Sequence, residues 1–340
     1  MKQPTILAIE SSCDETAAAV YNEQDGMLSN VLFSQIDLHK QYGGVVPEIA
    51  SRSHVQKIKP IVQEALQKAN KTLDDIDIIA VTSKPGLPGS LLIGVSFAKA
   101  LAYAKKIPII GVNHLEGHAF SSMIEHNVPF PHICLTASGG HSSMYLIKDF
   151  GEYEIIGQTI DDAAGEAFDK IAKLINLGYP GGPIVENLAR EANFKDFYSY
   201  PRGKQNMINF SFSGLKTAVL YDLVKRDAFD LKTKTFLKNN DKQLKKEVAS
   251  SLLVCMGDIF KNKLKLALQL YPKVKAVTFV GGVACNKYLK QQLSEFCEKR
   301  GLTFFSPSPQ YCTDNAAMIA FVANYKAKQN KFDDLSLDIF

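Results

Sequence analysis

Short apolar runs alternate along the chain with longer segments in which apolar residues recur at helical spacing. The short runs are rich in Ile, Val and Leu and end in polar or glycine-containing turns, as at 5–9, 76–83, 107–112, 132–137 and 274–280. Helical spacing is found over 48–70, in a segment that ends near 105, over 243–270 and over 314–328. Strands that alternate with helices predict an α/β fold rather than a sandwich.

Residues 5–21 and 132–147 share one plan, in which a strand, a polar turn and a second strand follow one another. We interpret this as a weak internal repeat, with a second unit that starts near Pro129. The predicted domains are residues 1–128 and 129–315, with a C-terminal helix at about 316–340 packing back on the first domain.

Composition places the chain among ordinary globular proteins. Its 340 residues suffice for about two domains, and the net charge of +4 does not by itself indicate nucleic acid. The six cysteines form no CxxC pair, which argues against a zinc knuckle and suits reduced thiols. The sequence begins without a secretory segment and has no apolar run of the roughly 20 residues that span a bilayer. We therefore expect a cytoplasmic protein with no membrane contact.

His114 and His118 stand four residues apart, directly after the apolar run 107–112. On a helix this spacing puts both imidazoles on one face, where they can bind one divalent metal ion. The HExxH helix of zinc proteases has the same spacing, but here the acid stands one place late, at Glu116. The pattern therefore indicates a metal site and argues against a metalloprotease. Two histidines that merely line the start of a helix are the alternative.

Three turns combine glycine with small polar residues, at 11–14, 138–140 and 281–282. Backbone N–H groups in such turns converge on anions, and small side chains let the backbone approach a phosphate. Each turn alone is typical of a plain hairpin, and the chain has neither GxxxxGK[ST] nor GxGxxG. Taken together, the three turns suggest a nucleotide held between two domains.

With these turns in place, the chain resembles the TsaD family, formerly called O-sialoglycoprotein endopeptidases. The motif His114-Leu115-Glu116-Gly117-His118 carries the resemblance, together with segments at 9–16, 43–48, 138–141, 161–170, 179–183, 210–217, 281–286 and 312–315. The resemblance covers nearly the whole chain. It implies the two-domain fold of the actin, sugar-kinase and Hsp70 superfamily, with an interdomain nucleotide cleft.

The resemblance also implies one divalent metal ion per chain, Fe²⁺, held by His114, His118 and Asp314. Two imidazoles and a carboxylate leave coordination positions open for a substrate oxygen. The sequence alone favours Asp314 as the N-cap of the last helix, and the resemblance reverses this preference.

The implied ligand of the cleft is threonylcarbamoyl-adenylate or another adenine nucleotide. The substrate-binding positions of the family carry over to Thr136, Ala137, Ser138, Gly139, Gly140, Asp169, Gly182 and Asn286. Weaker candidates are Ser11, Ser12, Glu15, His141 as a general base, and Glu186.

The implied reaction transfers the threonylcarbamoyl group from the adenylate to N6 of the adenosine 3′ of the anticodon, in tRNAs that read codons starting with A, and releases AMP. Implied partners are tRNA, TsaB-like and TsaE-like proteins, and a second copy of the chain. Residues 216–246 carry nine Lys or Arg against four Asp and are a candidate tRNA surface, with a solvated helix face as the alternative. An HxxxH metalloendopeptidase and a non-catalytic nucleotide-binding partner subunit are the rival functions.

Overall fold

The computed structural model of the chain describes residues 3–204 and 206–339. It has two compact units, one made of the described residues up to Glu125 and from Pro307 onward, the other of His126–Ser306. The predicted boundaries after 128 and 315 differ from these by three residues (128 − 125) and nine residues (315 − 306). As a consequence, Asp314 belongs to the same unit as His114 and His118.

The elements follow in chain order, and those of the first unit before the crossing are β1 (Thr5–Glu10), β2 (Glu15–Asn22), β3 (Gly26–Ser34), α1 (Ile36–His39), α2 (Pro47–Lys68), β4 (Ile78–Lys84), α3 (Pro88–Lys105), β5 (Ile109–Asn113) and α4 (His114–Phe120). The second unit contains β6 (His132–Ala137), β7 (Ser142–Asp149), β8 (Glu152–Gln158), α5 (Ala164–Leu174), α6 (Gly181–Glu191), α7 (Ser213–Lys225), β9 (Phe229–Asp230), β10 (Thr235–Phe236), α8 (Lys242–Leu270), β11 (Ala276–Val280), α9 (Lys287–Glu298) and β12 (Thr303–Phe305). The chain then returns to the first unit with α10 (Pro309–Cys312) and α11 (Ala316–Lys328).

The first unit is built on a five-stranded sheet in the order β3-β2-β1-β4-β5. β1 pairs antiparallel with β2 and parallel with β4, and every one of its residues is buried. One face of the sheet packs against α2 and α3, and α11 packs against β1 and β2. Covering both faces explains why this strand is a continuous apolar run rather than an alternating one.

The second unit repeats the same strand plan in the order β8-β7-β6-β11-β12. Its first strand, β6, pairs antiparallel with β7 and parallel with β11, as β1 pairs with β2 and β4. The internal repeat therefore extends from one hairpin to a whole sheet. Two mixed sheets with helices between their strands in sequence confirm the α/β prediction.

The strands that the apolar pattern did not indicate are short or lie at sheet edges. β3 and β8 have mostly half-buried or exposed residues, and β9, β10 and β12 are only two or three residues long. Within the described residues, no helix is both long enough and apolar enough to cross a membrane. All six cysteines are free, in agreement with reduced thiols.

Candidate metal centre and substrate-binding turns

The two histidines of the HxxxH pattern lie on α4, which begins at His114. Asn113 caps this helix, since its side-chain oxygen accepts hydrogen bonds from the N–H groups of Leu115 and Glu116 at 2.8 and 3.2 Å. The imidazole rings of His114 and His118 meet edge to face, with centroids 4.7 Å apart. The helix thus places both rings at one point, directly after the buried strand β5.

Asp314 completes the cluster from the segment between α10 and α11. Its Oδ1 lies 2.9 Å from Nε2 of His118 and 3.5 Å from Nε2 of His114. One potential ligand atom from each of the three residues falls within 4.8 Å of the other two. The N-cap of α11 is Asn315, whose Oδ1 accepts from the N–H of Met318 at 3.0 Å. Asp314 is therefore not the cap of this helix, and its carboxylate faces the histidines instead.

Close packing between α4 and α11 keeps the three side chains together. A Cβ added at Gly117 would lie 3.1 Å from side-chain carbons of Met318 and Ile319, so a larger residue would separate the two helices. The hydrogen atom of glycine permits the approach of the helix that follows Asp314 to the helix that carries the histidines.

A fully buried carboxylate, Glu10, lies behind His114 at the end of β1. Its Oε2 is 3.1 Å from Nδ1 of His114 and accepts a hydrogen bond from the hydroxyl of Thr82 at 2.5 Å. Its Oε1 accepts from the N–H of Ser12 at 2.5 Å, and the hydroxyl of Ser12 is also 3.1 Å from Nδ1 of His114. Because a carboxylate only accepts, Glu10 fixes the proton on Nδ1 and leaves Nε2 facing Asp314.

The charges of this cluster shift the ionisation of its members. Burial lowers the pKa of His114, but the carboxylates of Asp314 and Glu10 outweigh it and raise that pKa to about 9. Burial opposes the ionisation of Glu10, yet the His114 imidazole brings its pKa below the usual value. Burial, followed by repulsion from Asp314 and Asp14, raises the pKa of Glu15 well above its usual value. Several carboxylates thus lie close together in a buried place, and a bound cation would stabilise their ionised forms.

The donor set fits a divalent metal ion. Nε2 of both histidines faces the same carboxylate oxygen, and Glu10 acts on His114 as the outer carboxylate of a carboxylate–histidine–metal arrangement. Two imidazoles and one carboxylate suit iron and related transition metals. The weaker candidates Ser11, Ser12 and Glu15 lie in the same unit, the two serines on the turn between β1 and β2 and Glu15 at the start of β2.

In the second unit, three glycine-containing turns come together at the end of β6. A Cβ built on Gly281, whose φ is +90°, would lie 2.4 Å from the carbonyl oxygen of Ala137. One built on Gly165, at the start of α5, would lie 2.6 Å from the carbonyl oxygen of Ser138 and 2.8 Å from Cα of Gly139. The turn after β6 is therefore enclosed by the start of α5 and the end of β11. This arrangement places Thr136–Gly140 beside the turn at 281–282.

The remaining substrate candidates lie on or directly before α5, α6 and α9 of the same unit. Asp169 accepts a hydrogen bond from the N–H of Gly181 at 2.7 Å, beside Gly182, and burial raises its pKa. Oε1 of Glu186 accepts from the N–H groups of Lys287 and Tyr288 at 2.8 and 3.2 Å and so satisfies the start of α9.

The side chain of Asn286 and the backbone of His141 form further hydrogen bonds in these turns. Asn286 caps α9 through the N–H of Leu289 at 2.9 Å. The N–H of His141 donates to the hydroxyl of Ser138 at 3.2 Å, so His141 closes the turn after β6. A Cβ added at Gly139, Gly140, Gly182 or Gly282 would meet no atom within 4 Å in the described structure.

Sequence reasoning did not select Glu10, Thr82 or His54 as site residues. The signal for Glu10 was present, because it is a charged residue at the end of a strand that is otherwise apolar. His54 lies on α2, and its ring nitrogens contact the hydroxyl of Thr16 at 2.8 Å and the carbonyl of Cys13 at 2.9 Å. It thereby fixes the turn between β1 and β2. A helical histidine carries no such signal in the sequence.

Comparison with known proteins adds the family. The model of the TsaD family, tRNA N6-adenosine threonylcarbamoyltransferase, matches residues 26–321. A protein of that name from Geotalea uraniireducens is 45% identical over 335 residues, which are 98% of this chain and 94% of the relative. Another from Fusobacterium nucleatum is 46% identical over 326 residues, 96% of this chain and 92% of the relative.

Solved structures at much lower identity share the fold. HypF in its phosphate- and nucleotide-bound form has a TM-score of 0.62 at 15% identity, over 98% of this chain and 48% of that one. Component A of the (R)-2-hydroxyglutaryl-CoA dehydratase of Acidaminococcus fermentans has a TM-score of 0.57 at 14% identity, over 95% of this chain and 99% of that one. These matches extend over nearly the whole chain and confirm the predicted fold class.

Proposed function

The chain belongs to the TsaD family of tRNA N6-adenosine threonylcarbamoyltransferases, and from that premise we propose how its residues carry out the transfer. The activity is a transferase activity that modifies tRNA, and the relatives favour neither the metalloendopeptidase nor the non-catalytic subunit. We propose threonylcarbamoyl-adenylate as the donor. The N6 amine of the adenosine 3′ of the anticodon, in tRNAs for codons starting with A, attacks the carbamoyl carbon, and AMP leaves with the electrons of the cleaved bond.

The turns of the second unit are the proposed binding site for the adenylate. The backbone N–H groups of Gly139 and Gly140 suit close contact with a phosphate, and so do Gly182 and Gly282, where an added Cβ would meet no atom within 4 Å. Asp169, whose second carboxylate oxygen has the capacity to accept hydroxyl groups, is the proposed ribose contact. Asn286, the N-cap of α9, and Glu186 of α6, whose carboxylate accepts from the N–H of Lys287, are the further proposed contacts.

In the first unit, His114, His118 and Asp314 are the proposed ligands of one metal ion, Fe²⁺. When bound, this ion supplies Lewis-acid stabilisation of negative charge on a carbonyl or phosphate oxygen. Glu10 holds the Nδ1 proton of His114, and the hydroxyl of Thr82 and the N–H of Ser12 keep the Glu10 carboxylate in place. The observation that carries this proposal is the convergence of the three potential ligand atoms within 4.8 Å.

The test is to replace His114 or Asp314 by Ala and to measure metal content and transfer onto tRNA in the same preparations. Lewis-acid stabilisation of several kcal/mol corresponds to a loss of about a hundredfold or more in kcat. His126→Ala, a histidine of the other unit, is the control and keeps both metal and activity. Unchanged turnover in a variant that has lost its metal would contradict the catalytic role of the ion.

The proposed tRNA surface is the β9–β10 hairpin with the start of α8. In the described structure, no carboxylate lies within 4.0 Å of the ammonium groups of Lys232, Lys238 or Lys242. By contrast, Lys246 pairs with Glu191 at 2.7 Å and Lys245 lies over the ring of Phe236 at 5.5 Å. The carboxylate of Asp241 caps the start of α8 by accepting from the N–H of Leu244 at 2.9 Å, and the first turn itself contains Lys242 and Lys245 but no acid. A phosphate backbone would offset the positive charge of these lysines.

Changing Lys232, Lys238 and Lys242 together to Gln is expected to reduce the slope of log K against log salt for tRNA binding by about 2 to 3, because each lost phosphate contact removes about 0.7–0.9. Lys148→Gln, which removes a lysine paired with Glu154, is the control with an unchanged slope. An unaltered slope in the triple variant would assign tRNA binding to another surface.

Assembly with TsaB-like and TsaE-like proteins, formation of a homodimer and a cytoplasmic location are also part of this proposal, and the family resemblance supports them. Reconstitution with tRNA and threonylcarbamoyl-adenylate, with and without the two partner proteins, is the direct test. Full multiple-turnover activity of the chain alone would show that the partners are dispensable.

A further inference from the structure

The C-terminal segment of the chain lies along β5, the edge strand of the first sheet. The N–H of Asp333 donates to the carbonyl of Ile109 at 2.9 Å, and the two residues form an antiparallel bridge. The carboxylate of Asp333 accepts from the N–H of Gly111 at 2.7 Å. Backbone groups that an edge strand leaves unpaired are thereby satisfied by the segment after α11.

Gly111 is held from three directions. Its N–H is bound by Asp333, and its carbonyl accepts from the ammonium of Lys326 at 3.0 Å. Over its Cα lies the side chain of Leu337, since a Cβ added here would be 2.6 Å from Cδ1 of that leucine. We refer to Lys326, Asp333 and Leu337 as the Gly111 clamp.

Lys326 also contacts α4 itself. Its ammonium lies 3.6 Å from Oε2 of Glu116, whose side chain is only 9% exposed. Glu116 stands between His114 and His118, while Lys326 is near the end of the helix whose start follows Asp314. One side chain therefore connects the strand before the histidines, the helix that carries them and the helix adjacent to the third potential ligand.

We propose that Lys326 is a positioning residue for the metal centre, and that Glu116 is its anchor on α4. The inference rests on the proposed metal centre. Gly111 is three residues before His114 (114 − 111), and the residue between strand and helix, Asn113, caps α4. A displacement of Gly111 or Glu116 is therefore transmitted to both imidazoles. Glu116, which stands one place too late to be the acid of an HExxH motif, therefore has an anchoring role on α4.

The experiment measures Co²⁺ binding to the full chain, with affinity from titration and ligand geometry from the visible absorption bands of the bound ion. Lys326→Met removes both contacts of the ammonium and is expected to weaken Co²⁺ binding about three- to tenfold and to alter the bands. The effect is smaller than the 10- to 100-fold that follows removal of a direct hydrogen-bond partner of a metal ligand. Lys326→Arg restores donors and charge, and with them most of the affinity.

Lys328→Met is the matched control, because Lys328 is on the same last turn of α11 but pairs with Glu23. It is expected to change the melting temperature without changing the Co²⁺ affinity or spectrum. Asp333→Ala tests the second arm of the clamp if Lys326→Met folds poorly. Wild-type Co²⁺ affinity and spectrum in both clamp variants, with only stability reduced, would overturn the inference. A wild-type chain that binds no Co²⁺ would instead overturn the metal centre itself.

Discussion

At the residue scale, His132 shows how burial changes the pKa of a polar side chain that begins an apolar strand. It is the first residue of β6, it is fully buried, and its ring stacks on Phe130. Burial lowers its pKa to about 4, although the Pro129 carbonyl acts in the opposite direction. The folded state therefore favours the neutral imidazole, and the unfolded state takes up a proton first as the pH falls.

We expect this residue to make the second unit less stable in acid. The contribution of His132 is fully present above pH 6.5 and is lost as the pH falls toward 4, by about 3 kcal/mol in the free energy of unfolding. Urea unfolding of the wild type and of His132→Phe between pH 4 and 8 measures it. The same substitution at the partly exposed His126 is the control. An identical pH profile for wild type and His132→Phe would contradict the assignment.

The HxxxH cluster shows which part of a site is readable residue by residue. Spacing on a helix indicated that His114 and His118 share one face, and the structure confirms that they do. Their relation to Glu10 and Lys326 depends on how β1, α4 and α11 meet in the fold, which no local pattern encodes. For this reason His114 and His118 were predictable from their spacing, whereas the contacts of Glu10 and Lys326 were not.

At the scale of elements, the turn between β11 and α9 contains two adjacent glycines with different roles. Gly281 has φ +90° and faces the backbone of Ala137, whereas a Cβ on Gly282 would contact no atom of the described structure. Gly281→Ala combines a left-handed backbone with a collision against backbone and is expected to cost about 2–5 kcal/mol in the free energy of unfolding. Gly282→Ala is expected to unfold like the wild type.

The same pair of variants tests the proposed adenylate site. A Cβ at Gly282 would occupy the space assigned to the substrate, and an overpacking penalty of about 1–3 kcal/mol corresponds to a rise of about 5- to 150-fold in KM for the adenylate. Steady-state kinetics of Gly282→Ala, with its melting curve as the fold control, provides the measurement. A normal KM would place the substrate away from this turn.

Long buried elements were predicted well because their signal is physical and local. β1, β6 and β11 are covered on both faces and read as continuous apolar runs, so their bounds differ little from the predicted ones. The β9–β10 hairpin could not be found in this way, because each strand has two residues and each contributes one buried phenylalanine. In the sequence, this segment stands out only by the positive charge of its lysines.

At the scale of the whole molecule, the two units differ in how the chain builds them. The second unit is continuous, whereas the first requires residues after Pro307. Those residues include α11, which is buried from Ala316 to Asn324 and packs on β1, β2, β4 and β5. The sequence led us to predict a C-terminal helix that packs on the first domain. Amphipathic spacing did not indicate which strands it contacts, because the helix is apolar over most of its surface.

This asymmetry predicts different behaviour for the separated units. A fragment of residues 126–306 is expected to unfold cooperatively, because its sheet and helices come from one stretch of chain. A fragment of residues 1–125 is expected to remain unfolded, because removing α11 exposes a whole face of the sheet. We expect the hydrophobic stabilisation lost in this way to exceed the 5–15 kcal/mol by which a domain is normally stable.

Joining 307–340 to residues 1–125 through a Gly/Ser linker restores the helix and should restore cooperative folding, as followed by circular dichroism and urea titration. The linked fragment also contains His114, His118 and Asp314, so it should bind Co²⁺ like the full chain. A cooperatively folded 1–125 fragment would show that α11 is an addition to the first unit rather than part of its core.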